Sequence, residues 1–227
     1  MTSLIYYLPG WAGHLNKGLG KALMDRGFDV TGRETRDDFK DLTFTDQVET
    51  VKEDLVNHFW TEDSRVVANS FGAYLFLHAQ ASLEPYPGKV LLLSPIVGGF
   101  LDESTGRAFS PPQENQLLQL AEAGQFPAPK SVEVHTGSED WQSHPDAVTK
   151  FFGLLGVSAV IADGLGHSLG KDYVSPILAE WVVTSSEIQI FIRLCHVGTS
   201  IFSAHQIGQQ SSRSVRRQLV LSNACES

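Results

Sequence analysis

The stretch Val66-Val67-Ala68-Asn69-Ser70-Phe71-Gly72-Ala73-Tyr74-Leu75-Phe76, "VVANSFGAYLF", decides the fold of this 227-residue chain. Its first part is apolar and β-branched, which predicts a buried strand over Arg65–Asn69. Its second part brings apolar residues back at helical spacing, which predicts a helix over Phe71–Ala81. Ser70 stands between them, at a strand-to-helix turn, where a serine serves either as a nucleophile or as a helix cap.

The same alternation of a short apolar run and a longer helical segment extends along the chain in both directions. It predicts an α/β fold with a mostly parallel central sheet flanked by helices. The predicted strands are Leu4–Leu8, Phe28–Thr31, Arg65–Asn69, Lys89–Ser94, Ser131–Thr136 and Val157–Ala162. The predicted helices are Gly18–Arg26, Asp46–Phe59, Phe71–Ala81, Pro145–Leu155 and Gly170–Val183.

One segment breaks the alternation, because the chain runs from Ser94 to Ser131 without a predicted strand. This segment contains a helix-like stretch, QENQLLQLAEAG, and we expect an insertion of about residues 97–129 that lies over the sheet as a small lid. Its apolar side chains indicate an apolar cover and a small acyl group; they are Phe100, Leu101, Phe109, Leu117, Leu118 and Phe126.

Composition narrows the classes of function. A hydrophobic content of 42% fits a globular domain with a sizeable core. The net charge of −9 disfavours nucleic acid as a partner, because there is no excess of lysine and arginine to neutralise phosphates. No segment reaches the roughly 18 apolar residues of a membrane helix, so we expect a cytoplasmic protein without a membrane partner.

The last part of the chain differs from the rest. Residues 1–185 hold 24 of the 26 acidic residues and neither cysteine, whereas residues 186–227 have a net charge of +2 and contain Cys195 and Cys225. The absence of cysteine from the body fits a reducing compartment. We therefore predict one domain over 1–185 and a C-terminal tail over 186–227. A poorly ordered tail and a strand over 188–192 that pairs with a sheet edge or a second subunit both stay open.

The neighbours of Ser70 favour the nucleophile. A serine in a sharp strand-to-helix elbow needs small residues two positions before and after it, and these are Ala68 and Gly72. A nucleophilic serine also needs an orienting acid and a histidine base, in the chain order Ser, Asp, His. Asp140 follows the strand SVEVHT, and His167 follows the strand VSAVIA.

Alternatives to these assignments stay open at this point. Glu139, Asp146 and Asp163 compete with Asp140 for the role of the acid. An oxyanion needs two backbone N–H donors, of which Phe71 supplies one through its place after the serine. Trp11, in the glycine-rich turn PGWAG after the first strand, is the candidate for the second.

With PGWAG, ANSFG, GSED and GLGH at four strand ends, residues 1–185 resemble the α/β-hydrolase superfamily. The resemblance is strongest to its small, nearly capless serine hydrolases, such as the retinoblastoma-binding-protein type and compact bacterial esterases. It implies that Ser70 is the nucleophile, His167 the base, Asp140 the acid, and that Trp11 and Phe71 supply the oxyanion donors. The sequence departs from the family pattern at Pro9, where a histidine is common, and at Ala68, where the elbow usually has glycine.

The resemblance implies a serine hydrolase that cleaves a small carboxylic ester or thioester through an acyl-enzyme, with no metal and no organic cofactor. One alternative keeps the fold but makes the protein a catalytically weak binding or scaffold protein. Another reads GLGHSLG, residues 164–170, as a dinucleotide-binding loop, although no acidic residue closes a following strand. His135 and His144 are nine positions apart across a loop, with no second pair of ligands at short helical spacing, so no metal site is expected and both are expected on the surface. A protein partner and a homodimer both stay open, and the sequence identifies neither.

Overall fold

The structure, a computed structural model, describes residues 4–181. Its central sheet consists of six strands: β1 (Leu4–Leu8), β2 (Asp29–Gly32), β3 (Arg65–Asn69), β4 (Lys89–Leu93), β7 (Ser131–Gly137) and β8 (Val160–Ala162). The strand order is β2-β1-β3-β4-β7-β8, and every neighbouring pair is parallel. The α/β fold class and all six predicted strands are therefore confirmed.

Seven helices accompany the sheet in the described range: α1 (Gly18–Met24), α2 (Asp37–Asp41), α3 (Phe44–His58), α4 (Phe71–Gln80), α5 (Gln116–Glu122), α6 (Pro145–Leu154) and α7 (Lys171–Trp181). The predicted helices are present, most with ends that differ by one or two residues. The predicted end of the last one, Val183, lies outside the described residues, and α2 was not predicted.

The insertion contains two strands that the sequence analysis did not expect. β5 (Phe100–Asp102) and β6 (Arg107–Phe109) form an antiparallel hairpin of their own, separate from the central sheet. The rings of Phe100 and Phe109 stack at 5.3 Å across this pair. No sequence pattern predicts this hairpin, because three-residue strands are too short to show the two-residue period of a longer strand.

The core is built from both faces of the sheet, because successive side chains of a strand point to opposite sides. Tyr6 and Leu8 belong to the main apolar cluster, which α3, α4 and α6 cover with residues such as Leu55 and Phe152. The intervening side chains of β1 face α1, where Gly20 lies close to the ring of Tyr7. Burial on both faces explains why the strand segments read as almost unbroken apolar runs.

Of the described residues, 4–178 form one compact unit, and residues 179–181 belong to a second. All the site geometry below lies in the first unit. The predicted domain boundary at 185 and the predicted tail 186–227, with its two cysteines, lie outside the described residues. Within residues 4–181 no helix is long and apolar enough to cross a membrane.

Candidate active site

Ser70 lies at a sharp turn between β3 and α4. Its backbone adopts φ 52° and ψ −121°, a conformation that costs a residue with a side chain on the order of 1–3 kcal/mol. Its hydroxyl makes no capping hydrogen bond to the first turn of α4, contrary to the helix-cap alternative. The Ser70 Oγ instead lies 2.7 Å from Nε2 of His167, which is 97 positions away along the chain.

The small neighbours of Ser70 are required by the packing of the elbow. A Cβ atom on Gly72 would overlap the backbone carbonyl oxygens of Leu8 and Pro9 at the end of β1. On the other side of the serine, Ala68 is fully buried within β3. The elbow therefore accepts a methyl group two residues before the serine but no side chain two residues after it.

The imidazole of His167 is held from its other side by Asp140. Nδ1 of His167 lies 3.0 Å and 2.9 Å from the two carboxylate oxygens of Asp140. Because Nδ1 faces a carboxylate, it carries the proton, and Nε2 is left to accept a hydrogen bond from the Ser70 hydroxyl. Ser70, His167 and Asp140 thus form one continuous chain of hydrogen bonds.

Asp140 is charged although only 1% of its surface is exposed. Burial by itself raises the pKa of this carboxyl, but hydrogen bonds from His167 and from the backbone N–H groups of Ser143 and Gln142 outweigh it, and the net pKa is lowered. The two backbone bonds to Asp140 Oδ1 measure 2.8 Å and 2.9 Å. A carboxylate that accepts several such bonds stays ionised in a buried position.

The other candidate acids do not reach the histidine. Glu139, Asp146 and Asp163 are all exposed, and among the described residues Asp146 has its ionic contact with His144, at 3.9 Å. The structure therefore brings Asp140, and not its three competitors, together with His167.

The two predicted oxyanion donors lie next to the serine. Among residues 4–181 neither the Trp11 N–H nor the Phe71 N–H has a hydrogen-bond acceptor, so both are available to a ligand. The rings of Trp11 and Phe71 meet edge to face at 5.1 Å. Gly10 approaches the serine so closely that a Cβ there would contact the Ser70 side chain at 3.2 Å, which keeps the turn after β1 beside the nucleophile.

The loop 164–170 serves the histidine and does not lie where a dinucleotide would bind. It follows β8, the last strand of the sheet, whereas the strand order reverses between β1 and β3. Dinucleotides bind at such a reversal point. In this structure the loop carries His167 to Ser70 instead.

Two residues beside the nucleophile were missed by the sequence analysis. Asn69 Oδ1 accepts a hydrogen bond of 2.9 Å from the hydroxyl of Tyr7, which is buried and whose pKa is raised by burial, so the asparagine amide is fixed in one orientation. Ser94, at the end of β4, adopts a φ of 45°, and its Oγ is buried without a partner among the described residues. A positive φ and a cross-sheet contact leave no local pattern in a sequence.

A groove of about 800 Å³ opens beside Ser70 and His167 and extends between α1 and α7. Trp11, Asn69 and Gln142 line its catalytic end. The predicted apolar cover is not part of it, because no residue of the insertion lines this groove. Phe100 packs on Trp141, Phe126 packs on Phe151, and Leu117 is fully buried in the core.

His135 and His144, the two histidines considered as metal ligands, lie in different environments. His144 is exposed as predicted, but the prediction for His135 was wrong, because it is 5% exposed and bonds to the Tyr173 hydroxyl and the Glu133 carboxylate. Within residues 4–181 no three histidine, cysteine, aspartate or glutamate side chains cluster as metal ligands do.

Comparison of the structure with solved structures gives the fold a name. The ydeN gene product from B. subtilis superposes with a TM-score of 0.55 at 14% sequence identity, covering 80% of this chain and 99% of that one. The chain has the α/β-hydrolase fold. Est1E from Butyrivibrio proteoclasticus is similar with a TM-score of 0.55, 15% identity and coverage of 80% and 87%.

A third similar structure is MGS-MChE2, an alpha/beta hydrolase enzyme from a sediment metagenome of the Mar Chica lagoon, Morocco. Its TM-score is 0.53 at 18% identity, with coverage of 80% of this chain and 90% of that one. No protein-family model matches the sequence, and no curated protein matches it. At these identities the α/β-hydrolase likeness is a likeness of fold, and the activity has to be argued from the site.

Proposed function

We propose that the protein is a serine hydrolase that cleaves a small carboxylic ester or thioester through an acyl-enzyme. The observation that carries the proposal is the continuous hydrogen-bond chain from Ser70 through His167 to the buried, ionised Asp140. Acyl transfer needs an activated nucleophile beside donors for the oxyanion and space for the substrate. Ser70 lies in a sharp elbow, next to two backbone N–H groups without acceptors among the described residues and an open groove. The similar structure MGS-MChE2 is named an alpha/beta hydrolase enzyme, which agrees with this proposal.

In the first half of the reaction Ser70 Oγ attacks the carbonyl carbon, and His167 Nε2 takes the hydroxyl proton as the new C–O bond forms. Negative charge collects on the carbonyl oxygen, where the Trp11 and Phe71 N–H groups donate hydrogen bonds. The tetrahedral intermediate then collapses and breaks the bond to the alcohol or thiol. The leaving group takes the proton from His167, and the acyl group stays on Ser70.

In the second half a water molecule replaces the alcohol. His167 removes a proton from this water as its oxygen attacks the acyl carbon, and then returns the proton to Ser70 Oγ as the carboxylic acid leaves. Asp140 keeps Nδ1 protonated and stabilises the imidazolium that forms in each half. The chain's own groups supply every step.

The direct test is a fluorophosphonate probe, which reacts only with an activated serine, followed by mass mapping of the labelled residue. We expect label on Ser70, and Ser70→Ala should lose both labelling and turnover of short-chain esters while the fold is retained. Ser82→Ala, near the C-terminal end of α4, is the matched control and should keep both. A folded protein without labelled serine would favour a binding or scaffold protein, and label on another serine would refute the assignment of Ser70.

A further inference from the structure

The groove beside the catalytic serine has a charge pattern that bears on the substrate. We infer that the protein prefers an ester or thioester that also carries a carboxylate, separated from the scissile carbonyl by a short apolar chain. This inference deepens the function proposed above and rests on it.

The course of the groove follows from the topology. β1 ends at the catalytic edge of the sheet, and α1 returns from Gly18 toward the opposite edge, as α7 does from Lys171. At 1.5 Å per residue, the last residue of α1 lies about 9 Å along the helix axis from Gly18, and Arg26 follows it. The Arg26 guanidinium bonds to Ser175 on α7, so it lies between the two helices at the end of the groove remote from Ser70.

Cations dominate the charged lining of this groove. Four side chains with a full charge line it: Lys21, Asp25, Arg26 and Lys171. Lys21 and Asp25 form an ion pair at 2.6 Å and cancel each other. Two positive charges therefore remain, although the whole chain has a net charge of −9.

Neither remaining cation is neutralised by the part of the chain that the structure describes. Arg26 donates only to neutral oxygens, the Ala22 carbonyl at 2.8 Å and the Ser175 carbonyl and hydroxyl at 3.3 Å and 2.5 Å. Lys171 has no carboxylate within 4.0 Å in residues 4–181. A carboxylate in the groove would form charge-assisted hydrogen bonds with Arg26, which is half-buried, and with Lys171, which is exposed.

The remaining walls suit a hydrocarbon spacer. The uncharged part of the groove lining includes five apolar side chains: Leu19, Ala22, Leu169, Val174 and Leu178. Methylene groups gain free energy when they leave water for such a surface, on the order of 0.8 kcal/mol each. The ligand that satisfies both features has a reactive carbonyl at one end, a few methylenes, and a carboxylate at the other end.

Matched ester pairs test the inference in the full-length protein. With the anion in the acyl part, the nitrophenyl monoester of adipic acid is compared with nitrophenyl hexanoate, which has the same chain length. With the anion in the alcohol part, acetoxyhexanoate is compared with hexyl acetate by the release of acetate. In at least one pair we expect kcat/KM to be about tenfold higher for the carboxylate ester, and this preference should fall in about 0.5 M salt.

Two substitutions locate the preference. Arg26→Gln and Lys171→Gln should each lower the ratio of kcat/KM for the carboxylate ester to kcat/KM for the neutral ester by about threefold or more. Lys171 is exposed and forms no ion pair within residues 4–181, so Lys171→Gln is expected to fold. It keeps the test valid if Arg26→Gln does not fold. Lys150→Gln, on α6 outside the groove, is the control and should change neither substrate.

The result separates this inference from the proposed function. Equal kcat/KM values within both pairs, with Ser70-dependent turnover of the neutral esters, would overturn the carboxylate preference and leave the serine hydrolase intact. A preference that survives both substitutions would also overturn it. Absence of probe labelling at Ser70 would overturn the hydrolase function and this inference with it.

Discussion

Asp140 fixes the tautomer and the orientation of the His167 imidazole from a position that solvent does not reach. Replacing its carboxylate by an amide keeps the shape but removes the charge. Asp140→Asn should therefore lower kcat for a short-chain ester by about 10³-fold or more, through a misoriented imidazole. Initial rates on the purified variant measure this.

Asp163→Asn is the matched control for that prediction, because Asp163 is an exposed acid in the loop that carries His167. Its loss should change kcat by less than about twofold, as for an exposed charge with no role in orienting the base. Reversed effects of the two substitutions would assign the orienting acid to Asp163.

Helix α4 follows the nucleophile and packs closely against the end of β1. This close approach is possible because Gly72 has no side chain. Because a Cβ on Gly72 would overlap two backbone carbonyl oxygens, Gly72→Ala should force the elbow and β1 apart. We expect a loss of about 1–3 kcal/mol in the free energy of unfolding, measured by urea denaturation.

Gly153→Ala provides the comparison for Gly72→Ala. Gly153 lies in α6 with open space around its Cα, so the added methyl group meets nothing and the helix gains rigidity. Its free energy of unfolding should rise by about 0.5–1 kcal/mol. Equal effects of the two alanines would mean that the elbow has room for a side chain.

The contact of α4 with its neighbouring helices contains a buried histidine whose titration affects stability. His78 is 4% exposed, packs edge to face on Phe44 and Tyr74, and bonds through Nδ1 to Gln116 at 3.1 Å. Its Nε2 is buried without a partner among the described residues. Burial lowers the pKa of His78 to about 4, against a weaker opposing effect of the Gln116 bond.

A depressed histidine pKa destabilises the folded state in acid. Below the ordinary histidine value of about 6.5 the unfolded chain binds a proton that folded His78 does not, until the pH approaches 4. The free energy of unfolding should therefore fall by up to about 3 kcal/mol as the pH drops from 6.5 to 4. His78→Gln should make this decline shallower in denaturant titrations, with the exposed His58→Gln as the control for losing an imidazole. An unchanged slope in His78→Gln would contradict the burial effect.

Across the whole molecule, the sequence predicts the features that local chain geometry controls, namely the strands, the helices and the residues at the strand ends. Strand ends in a parallel sheet meet at one edge, so the positions of Ser70, Asp140 and His167 after three strands were enough to place them together. The groove was not predictable, since Arg26 and Ser175 meet across 149 positions of sequence. The apolar residues of the insertion were assigned to the substrate, but Leu117 is buried in the core and Phe100 and Phe109 stack on each other in the hairpin. Apolar character alone does not say which surface a side chain covers.

The predicted domain boundary at residue 185 can be tested by shortening the chain. The six strands of the central sheet, the triad and the groove all lie between Leu4 and Leu178, and so do the residues of the main apolar cluster. A chain that ends at Thr184 should therefore fold cooperatively and keep fluorophosphonate reactivity at Ser70, as measured by thermal melting and probe labelling against the full-length protein. Retained far-ultraviolet but lost near-ultraviolet circular dichroism in the shortened chain would indicate loosened tertiary packing. In that case residues 185–227 would contribute to the stability of the hydrolase fold, and the boundary predicted from charge and cysteine content would be wrong.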